Sequence, residues 1–345
     1  MATIYDVARE AGVSAATVSH VINNSRFVSL EKRERVQEAI RKLRYRRDAI
    51  ARSLRQSRTS SIGLMISDIT NPYFADVVRG VEDVVYGRGD RYNLILCNTE
   101  EDPAREAAYL EVLQEKRIDG LVMAPAGGNH EVLQELLDDG MPLVMVDRHL
   151  PGVAADAVIV DNRDAARRLV THLLTLGRSR IAVLRARLLV STIDDRIDGW
   201  RDALLAAGET PDEDAIVVSE SAIDEALAAG RSLLDRGVWP DAVFCTNNFM
   251  TLGMMRALAE RRLRCPEDVA VVSFDDFPWS TGFRPLLTAV AQPAYEIGRT
   301  AAEMLFDRID GVRAGPAEER VLPTTMIVRE SCGAELPRGG RRRSG

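Results

Sequence analysis

The sequence predicts an α/β protein that carries a small all-helical head at its N-terminus. Two observations predict this class. In residues 61–274, short apolar runs of strand length alternate with segments of helical periodicity, and this alternating pattern occurs twice in succession. In residues 1–46, the apolar positions have only helical spacing. A chain of 345 residues is long enough for two or three domains, each with a core of its own.

The head consists of three predicted helices. Thr3 precedes a run of helically spaced apolar residues, and Asp6 stands at the third helical position, which is the pattern of a capping box. Gly12 ends this helix, Ser14 is expected to cap the second helix and Ser29 the third. Three short helices, the first two joined by a turn that contains glycine, are typical of a helix-turn-helix unit.

From residue 61 onward, two βαβ runs of similar length follow each other, separated by a predicted helix at 163–176. Two such runs predict two doubly wound lobes with parallel sheets. Ligands of these sheets bind at the carboxyl ends of the strands, so the expected site is the cleft between the lobes. The predicted strands are Ile62–Ile66, Asn93–Cys97, Gly120–Met123, Leu143–Val146 and Ala157–Val160, then Ile181–Leu184, Ala215–Val218, Ala242–Cys245 and Val269–Phe274.

Charge is divided unequally between the head and the rest of the chain. The whole chain has 45 basic and 52 acidic residues, a net charge of −7, whereas residues 1–60 contain 13 basic and 6 acidic residues. A basic head on an acidic body indicates that the head binds a polyanion, although a solvated basic helix surface would have the same distribution of charge. Residues 47–59 are basic and polar with few apolar side chains, which predicts a linker.

Several function classes are not supported by the sequence. The four cysteines form no Cys-x-x-Cys pair, the four histidines lack metal-ligand spacing, and no glycine-rich phosphate loop or nucleophile elbow is present. We therefore expect neither a metal nor a cofactor, and no enzyme. No run approaches the roughly 18 apolar residues of a membrane helix, and the N-terminus has no export signal. The expectation is a cytoplasmic protein without a membrane partner.

Motifs from three separate regions give the chain a resemblance to the LacI/GalR (lactose-repressor/galactose-repressor) family of bacterial transcription regulators. The resemblance covers residues 3–330. It rests on Thr3-Ile4-Tyr5-Asp6-Val7-Ala8-Arg9-Glu10-Ala11-Gly12-Val13-Ser14 with Thr17-Val18-Ser19 and Val21-Ile22-Asn23, on Ala49-Ile50-Ala51-Arg52-Ser53-Leu54, on Asn71-Pro72-Tyr73-Phe74, and on Val269–Asp276 with Pro285-Leu286-Leu287-Thr288. It implies a homodimer that binds pseudo-palindromic operator DNA, and a body resembling a periplasmic binding protein of type I.

The resemblance and the helix-turn-helix geometry assign the DNA-contacting residues of the head. The second helix is expected to enter the major groove with Ala15, Ala16, Ser19 and His20 facing outward. The alanines offer only methyl contacts, so His20 is the best candidate for a hydrogen bond to a base or phosphate; its alternative is a solvated surface histidine. The full set is Thr3, Tyr5, Ser14, Ala15, Ala16, Thr17, Ser19, His20 and Asn23.

In this family the hinge folds into a helix on operator DNA, and a leucine from each subunit enters the minor groove. The matching residue is Leu54, flanked by Arg52 and Arg55 for phosphate contacts. The alternative is that Leu54 packs against the body. The predicted divisions are a DNA-binding domain at 1–46, a hinge at 47–59, a two-lobed effector-binding and dimerisation domain at 60–331 and a flexible tail at 332–345.

The resemblance to ribose-type binding sites assigns the effector-contacting residues, with Arg196 expected at the head of a helix. Aromatic faces suit the C–H surfaces of a sugar, and carboxylate and guanidinium groups satisfy its buried hydroxyls. For each charged residue alone, a surface salt bridge is the alternative. The residues are Asn71, Tyr73, Phe74, Asp147, Arg148, Arg196, Asn247, Asp275 and Gln292.

The sequence therefore predicts a repressor of carbohydrate-use genes, controlled by a monosaccharide or polyol that is pentose-like by resemblance. A purine would require rings on both faces and fewer carboxylates. Relatives carry a small glycine-rich turn where this chain has 185–190 (Arg-Ala-Arg-Leu-Leu-Val), and that bulk is expected to alter the pocket. Two rivals are an enzyme using Asp147 or Asp275 as a base, and a transport-binding protein, which the head argues against.

Overall fold

The computed structural model describes residues 2–23, 26–45, 59–89, 92–187, 190–236, 240–282 and 284–334. These residues fall into two units that divide between Thr59 and Ser60. In the part of the chain so described, no helix is long and apolar enough to cross a membrane, and no group of histidine, cysteine and acidic side chains could hold a metal ion.

The first unit contains α1 (Ile4–Ala11), α2 (Ala15–Asn23) and α3 (Leu30–Lys42). The capping box of α1 is confirmed: the Asp6 amide donates to Thr3 Oγ1 at 3.3 Å, and the Thr3 amide donates to the Asp6 carboxylate at 2.8 Å. Gly12 ends α1 in the left-handed conformation, at φ +64°. A side chain there would strain the turn that leads into α2.

The other two caps differ from each other. Ser14 caps α2 as predicted, because the Thr17 amide donates to Ser14 Oγ at 3.1 Å. Ser29 occupies the cap position of α3, but its side chain makes no capping hydrogen bond, so this part of the prediction is wrong. Each helix buries a valine completely in the head core: Val7, Val18 and Val36. The amphipathic spacing read from the sequence thus forms one small core.

The second unit alternates strands and helices throughout. In its first half lie β1 (Ser61–Ile66), α4 (Pro72–Gly87), β2 (Asn93–Asn98), α5 (Pro103–Glu115), β3 (Gly120–Met123), α6 (His130–Asp138), β4 (Leu143–Val146) and β5 (Asp156–Val160). There follow α7 (Asn162–Thr175), β6 (Ile181–Ala186), α8 (Ser191–Ala206), β7 (Ile216–Ser219), α9 (Ile223–Leu234), β8 (Ala242–Cys245), α10 (Asn248–Glu260), β9 (Ala270–Phe274), β10 (Thr288–Ala291), α11 (Ala294–Ile309), β11 (Glu319–Leu322) and β12 (Thr325–Ile327).

These strands form two six-stranded sheets, which confirms the two predicted doubly wound lobes. The strand order is β11-β5-β4-β3-β1-β2 in the first lobe and β12-β10-β9-β8-β6-β7 in the second. Every strand pair is parallel except β10 with β12. Both sheets are covered by helices on both faces, and for that reason their central strands are buried along their whole length.

The path between the lobes is more complex than the sequence predicted. After β10 the chain returns to the first lobe, where α11 packs and β11 pairs with β5, and then crosses back so that β12 pairs with β10. None of these last three strands was predicted. Strands β11 and β12 are short and lie at sheet edges, and no residue of either is fully buried, so they lack the continuous apolar run that identified the central strands.

Glycines let the covering helices approach each other closely. In the first lobe, a Cβ on Gly80 of α4 would lie 2.1 Å from the Tyr295 carbonyl oxygen of α11, and one on Gly298 would lie 2.1 Å from the Val77 oxygen. In the second lobe, a Cβ on Gly199 of α8 would lie 2.3 Å from the Arg163 oxygen of α7. Both lobes therefore depend on glycine at a helix crossing.

Candidate functional site

The cleft between the lobes contains two buried aspartates at matching positions. Strand β4 leads directly into Asp147 and β9 directly into Asp275, and each residue is only 6% exposed. Both have left-handed backbones, at φ +69° and +73°. This conformation costs a non-glycine residue about 1–2 kcal/mol, although aspartate tolerates it better than most. Strained residues that persist at buried strand ends are typical of ligand sites.

Arg148, the residue after Asp147, is turned into the wall of the first lobe. Its Nε donates to the Pro125 carbonyl at 2.7 Å, and its Nη2 donates to Ser67 Oγ at 2.7 Å and to Glu101 Oε2 at 2.6 Å. The third guanidinium nitrogen, Nη1, lies 3.4 Å from the Asp147 carboxylate. Sequence reasoning missed Glu101, because it stands in a loop with no motif around it.

Arg196 is the corresponding cation of the second lobe. It lies inside α8, which begins at Ser191, so the prediction that it heads the helix is wrong. Its Nε donates to Asn162 Oδ1 at 2.9 Å and its Nη1 to the Thr246 carbonyl at 2.7 Å. The guanidinium lies 3.7 Å from the centre of the Phe274 ring, which is close enough for a cation–π contact.

Asp275, Gln292 and Asn247 form the polar wall of the second lobe. Gln292 Nε2 donates to Asp275 Oδ1 at 2.7 Å from the segment that crosses between the lobes. Asn247 caps α10 by accepting from the Met250 amide at 2.9 Å, and its Nδ2 lies 3.4 Å from Ser221 Oγ. Burial raises the pKa of Asp275, although the nearby charge of Arg196 acts against the rise.

The first lobe contributes an aromatic pair at the start of α4. The rings of Tyr73 and Phe74 meet edge to face, with centroids 5.0 Å apart. Burial and the charges of Asp147 and Asp275 raise the pKa of the Tyr73 hydroxyl well above its usual value. Both rings are buried, with Tyr73 8% and Phe74 5% exposed, and they belong to the core of the first lobe.

Asn71 connects the two lobes directly. Its Oδ1 accepts from the Tyr73 amide at 3.0 Å, which caps α4, and from Asn248 Nδ2 of α10 at 2.9 Å. One amide oxygen therefore supports a helix start in one lobe and a hydrogen bond to the other. All nine predicted effector residues lie on the loops, helix starts and crossover around this cleft, with Arg196 one turn inside its helix.

Unpaired buried polar atoms mark the same cleft. Within the described ranges, four buried side-chain nitrogen or oxygen atoms have no hydrogen-bond partner, and three of them are Tyr73 Oη, Asn248 Oδ1 and Gln292 Oε1. Leaving such an atom unpaired costs about 1–3 kcal/mol. Their concentration beside two buried carboxylates indicates a site built for a ligand with several hydrogen-bonding groups.

Two arginines of the 185–190 turn, which is predicted to alter the pocket, are engaged in ion pairs. Arg185 lies 3.4 Å from Asp194, and Arg187 pairs with Glu220 at 2.7 Å, whereas Leu188 and Leu189 lie outside the described residues. His149 Nδ1 lies 3.5 Å from Glu319, and each side chain is about half exposed. The histidine thus belongs to a solvent-facing pair.

The predicted DNA-contacting residues of the head differ in exposure. Thr3, Tyr5, Ser14 and Ala16 are exposed, with Tyr5 at 69%. Thr17, Ser19 and His20 are half-buried. Ala15 packs against the head core, so it faces outward less than predicted. Asn23 is the last residue of α2, and Arg52, Leu54 and Arg55 lie outside the described residues.

A helix-turn-helix head joined to two doubly wound lobes with a polar cleft defines the class of ligand-responsive DNA-binding regulators. Comparison with known families agrees with this class. Residues 59–330 match the family described as periplasmic binding proteins and sugar binding domain of LacI family, and residues 3–48 match bacterial regulatory proteins, lacI family. The chain belongs to the LacI family.

Individual relatives are similar over almost the whole chain. The HTH-type transcriptional repressor PurR of Vibrio atlanticus (strain LGP32) is 39% identical over 311 residues, which are 90% of this chain and 92% of that protein. The Lac repressor dimer bound to operator and the anti-inducer ONPF superposes with a TM-score of 0.83 at 26% identity, over 96% of this chain and 99% of the other. These relatives are repressors, and the chain is a regulator of this family rather than an enzyme.

Two similar structures contain sugars. The transcriptional regulator CelR in its cellobiose complex has a TM-score of 0.72 at 32% identity, over 96% of this chain and 100% of that one. A LacI family transcriptional regulator from Enterococcus faecium with bound ribose has a TM-score of 0.71 at 29% identity, over 79% of this chain and 98% of the other.

Proposed function

We propose that this protein is a transcriptional repressor of carbohydrate-use genes, and that a small uncharged monosaccharide or polyol in the interlobe cleft controls its operator binding. The observation that carries the proposal is the cluster of unpaired buried oxygens on Tyr73, Asn248 and Gln292 beside the carboxylates of Asp147 and Asp275. Several hydroxyl groups on one small ligand can satisfy such a cluster, because each hydroxyl both donates and accepts.

The distribution of aromatic rings favours a sugar over a purine. Tyr73 and Phe74 both belong to the first lobe. On the second lobe, Asp275 and Gln292 form a hydrogen-bonded pair, Asn247 caps α10, and the Phe274 ring is covered by the Arg196 guanidinium. The Phe274 ring is therefore not open as a second stacking surface for a flat ring system, and buried carboxylates repel ring nitrogens that carry no hydrogen. The bound cellobiose and ribose of two similar structures support the sugar class, and ribose supports a pentose-like size.

The head supplies the second half of the proposed function. As a homodimer, the protein would place two heads on a pseudo-palindromic operator in the cytoplasm, with α2 in the major groove and Leu54 of each hinge in the minor groove. We retain the divisions 1–46, 47–59, 60–331 and 332–345 for these roles. Effector and operator then act by linkage: each changes the affinity for the other by the same factor.

A thermal-shift screen tests the effector class. Purified protein is melted with a panel of monosaccharides, polyols and purines. A ligand at 100 times its dissociation constant adds about 2.7 kcal/mol to the free energy of unfolding. We expect a pentose or related polyol to raise the melting temperature most. A purine that binds tightly while every sugar and polyol fails would show that the cleft is misassigned.

A salt titration tests the DNA-binding half. Fragments bound by the protein are selected from genomic DNA, and the operator affinity is measured against salt concentration. The excess positive charge of residues 1–60 predicts a log–log slope of about −5 or steeper for the dimer. Leu54→Ala is expected to weaken operator binding while the dimer and the sugar affinity are kept. A nearly flat slope would remove the proposed DNA interface, and an unchanged Leu54→Ala affinity would remove the hinge assignment.

A further inference from the structure

Three carboxylates and two guanidinium groups lie close together in the cleft. Among the described residues around it, Asp147, Asp275 and Glu101 supply three carboxylates, and Arg148 and Arg196 supply two guanidinium groups. The side chain of Glu101 is 15% exposed and that of Arg148 only 4%. Burial raises the pKa of Glu101, and the charge of Arg148 acts against this rise. Glu101 lies 2.6 Å from Arg148, whereas Asp147 lies 3.4 Å from it. Because Glu101 is the closer partner of Arg148, the Asp147 carboxylate remains available to accept hydrogen bonds from a ligand.

The guanidinium group of Arg148 is engaged by protein acceptors more fully than that of Arg196. Arg148 gives its Nε to the Pro125 carbonyl and its Nη2 to Glu101 and Ser67, and only Nη1 is left toward Asp147. Arg196 gives its Nε and Nη1 to Asn162 and the Thr246 carbonyl. Arginine recognises phosphates and carboxylates most strongly through two parallel donors. In this cleft, protein acceptors occupy the parallel Nε and Nη2 donors of Arg148, and the two acceptors of Arg196 are uncharged.

We propose that Glu101 is a positioning residue that sets the charge selectivity of the cleft. It holds the Arg148 guanidinium against Ser67 and neutralises it, so the cleft binds neutral hydroxyl compounds and rejects their phosphorylated or carboxylated forms. This inference rests on the proposed function and narrows it to unmodified sugars and polyols. The physical reason is that a buried anion would meet three carboxylates, while the parallel Nε and Nη2 donors of Arg148 are already engaged by protein acceptors.

The neighbouring glutamate provides a matched control. Glu100 and Glu101 both have left-handed backbones, at φ +53° and +58°, and this turn directs their side chains to different surroundings. Glu100 pairs with Arg105 at 2.6 Å, and both of those side chains are about half exposed. Glu100→Gln therefore removes the same charge from the same loop without changing the partner of Arg148.

Inorganic phosphate is a probe that does not depend on knowing the effector. The melting temperatures of the wild type, Glu101→Gln, Glu101→Asp and Glu100→Gln are measured with increasing phosphate, against sodium chloride at equal ionic strength. Phosphate stabilises folded proteins in general, so we expect all four melting temperatures to rise, and Glu101→Gln to show an additional, saturable rise with an affinity for phosphate at least tenfold higher than that of the wild type. The conservative Glu101→Asp should reject phosphate as the wild type does, because it keeps the charge.

The outcomes separate this inference from the proposed function. Phosphate binding by the wild type as tight as by Glu101→Gln would overturn the role of Glu101, even if a sugar binds. Rejection of phosphate by the wild type and its gain by Glu101→Gln would support that role, even if no sugar or polyol in the screen binds. Should Glu101→Gln fail to fold, the wild type decides with the phosphorylated and carboxylated forms of the best sugar of the screen. Binding of either form as tight as that of the parent sugar overturns the inference, and rejection of both beside binding of the parent sugar supports it.

Discussion

The two lobes of the effector-binding unit follow the same plan but use different side chains. In each lobe the fourth strand ends in a buried aspartate with a left-handed backbone, Asp147 in the first and Asp275 in the second. The next residue differs: Arg148 turns inward, whereas Asp276 pairs with Arg329 at 2.7 Å and stabilises the second lobe itself. The cation of the first lobe, Arg148, thus lies at a strand end, whereas the cation of the second lobe, Arg196, lies within helix α8.

This difference separates the side chains that the shared fold positions in both lobes from those that come from elements unique to one lobe. Two parallel sheets of the same construction place the two carboxylates at matching strand ends, opposite each other across the cleft. The cations, amides and rings around them come from unrelated elements, including the crossover that contributes Gln292. We infer that matching changes should affect stability alike in the two lobes, but affect ligand binding differently.

The largest effect is expected at the helix crossings. Gly80→Ala and Gly199→Ala would each force a methyl group into a neighbouring backbone carbonyl, at 2.1 and 2.3 Å. Overpacking of this kind typically costs about 1–3 kcal/mol, and backbone contact places these two at about 3 kcal/mol or more. Urea unfolding measures both. Gly87→Ala in the same helix as Gly80 has open space and should be neutral or stabilising by up to about 1 kcal/mol. Equal stability of Gly80→Ala and Gly87→Ala would contradict the close crossing.

The next effect concerns the matching aspartates. Asp147→Asn and Asp275→Asn retain the shape and tolerate the left-handed backbone, but remove the charged acceptor. Losing a hydrogen bond to a charged group costs about 1.5–3 kcal/mol, so each variant should bind the best sugar of the screen at least tenfold more weakly. Calorimetry measures this affinity.

Asp276→Asn is the matched control for Asp275→Asn. Its carboxylate is engaged with Arg329, so the variant should lose stability and retain sugar affinity. Normal sugar binding by Asp275→Asn, or a tenfold loss in Asp276→Asn, would show that the site is assigned to the wrong carboxylate. Operator affinity without ligand should stay near the wild-type value in both variants.

A smaller effect is expected for the contact between the lobes. Asn248→Ala removes the 2.9 Å hydrogen bond to Asn71 but leaves the Asn71 cap of α4 in place. A neutral hydrogen bond contributes about 1 kcal/mol, so loss of the bond between the lobes predicts about a fivefold loss of effector affinity, and loss of the ligand contact proposed for Asn248 Oδ1 adds to it. Equilibrium binding of the same sugar decides this. An affinity equal to that of the wild type would show that the bond contributes nothing to closure.

The smallest effect is a dependence of stability on pH. Burial raises the pKa of Asp275, so its proton is held at higher pH in the folded than in the unfolded chain. Its contribution to stability is therefore present below about pH 4 and is lost as pH rises through the raised pKa. Without ligand, Asp275→Asn should melt above the wild type at pH 7, and the difference should shrink toward pH 4. A difference that grows as the pH falls would contradict this sign.

Local signals allowed much of the fold to be predicted. Thr3, Asp6 and Gly12 bounded α1 correctly, because capping and left-handed termination depend on residues within one turn. The central strands of both sheets were found because each is buried along its length and reads as an unbroken apolar run. The cap of α3 by Ser29 was wrong, since the residue type alone does not ensure that its side chain reaches the backbone amides.

The sequence by itself determined the order of the helices and central strands, and, through the family resemblance, the residues proposed for DNA and effector. Only the tertiary structure decided how these residues are paired. The partnership of Arg148 with Glu101, and the position of Asn248 opposite Asn71, join residues 47 and 177 positions apart. No short-range pattern encodes such pairs, because they arise only when the strands assemble and the chain crosses between the lobes. The charge of the cleft is for this reason a property of the folded protein.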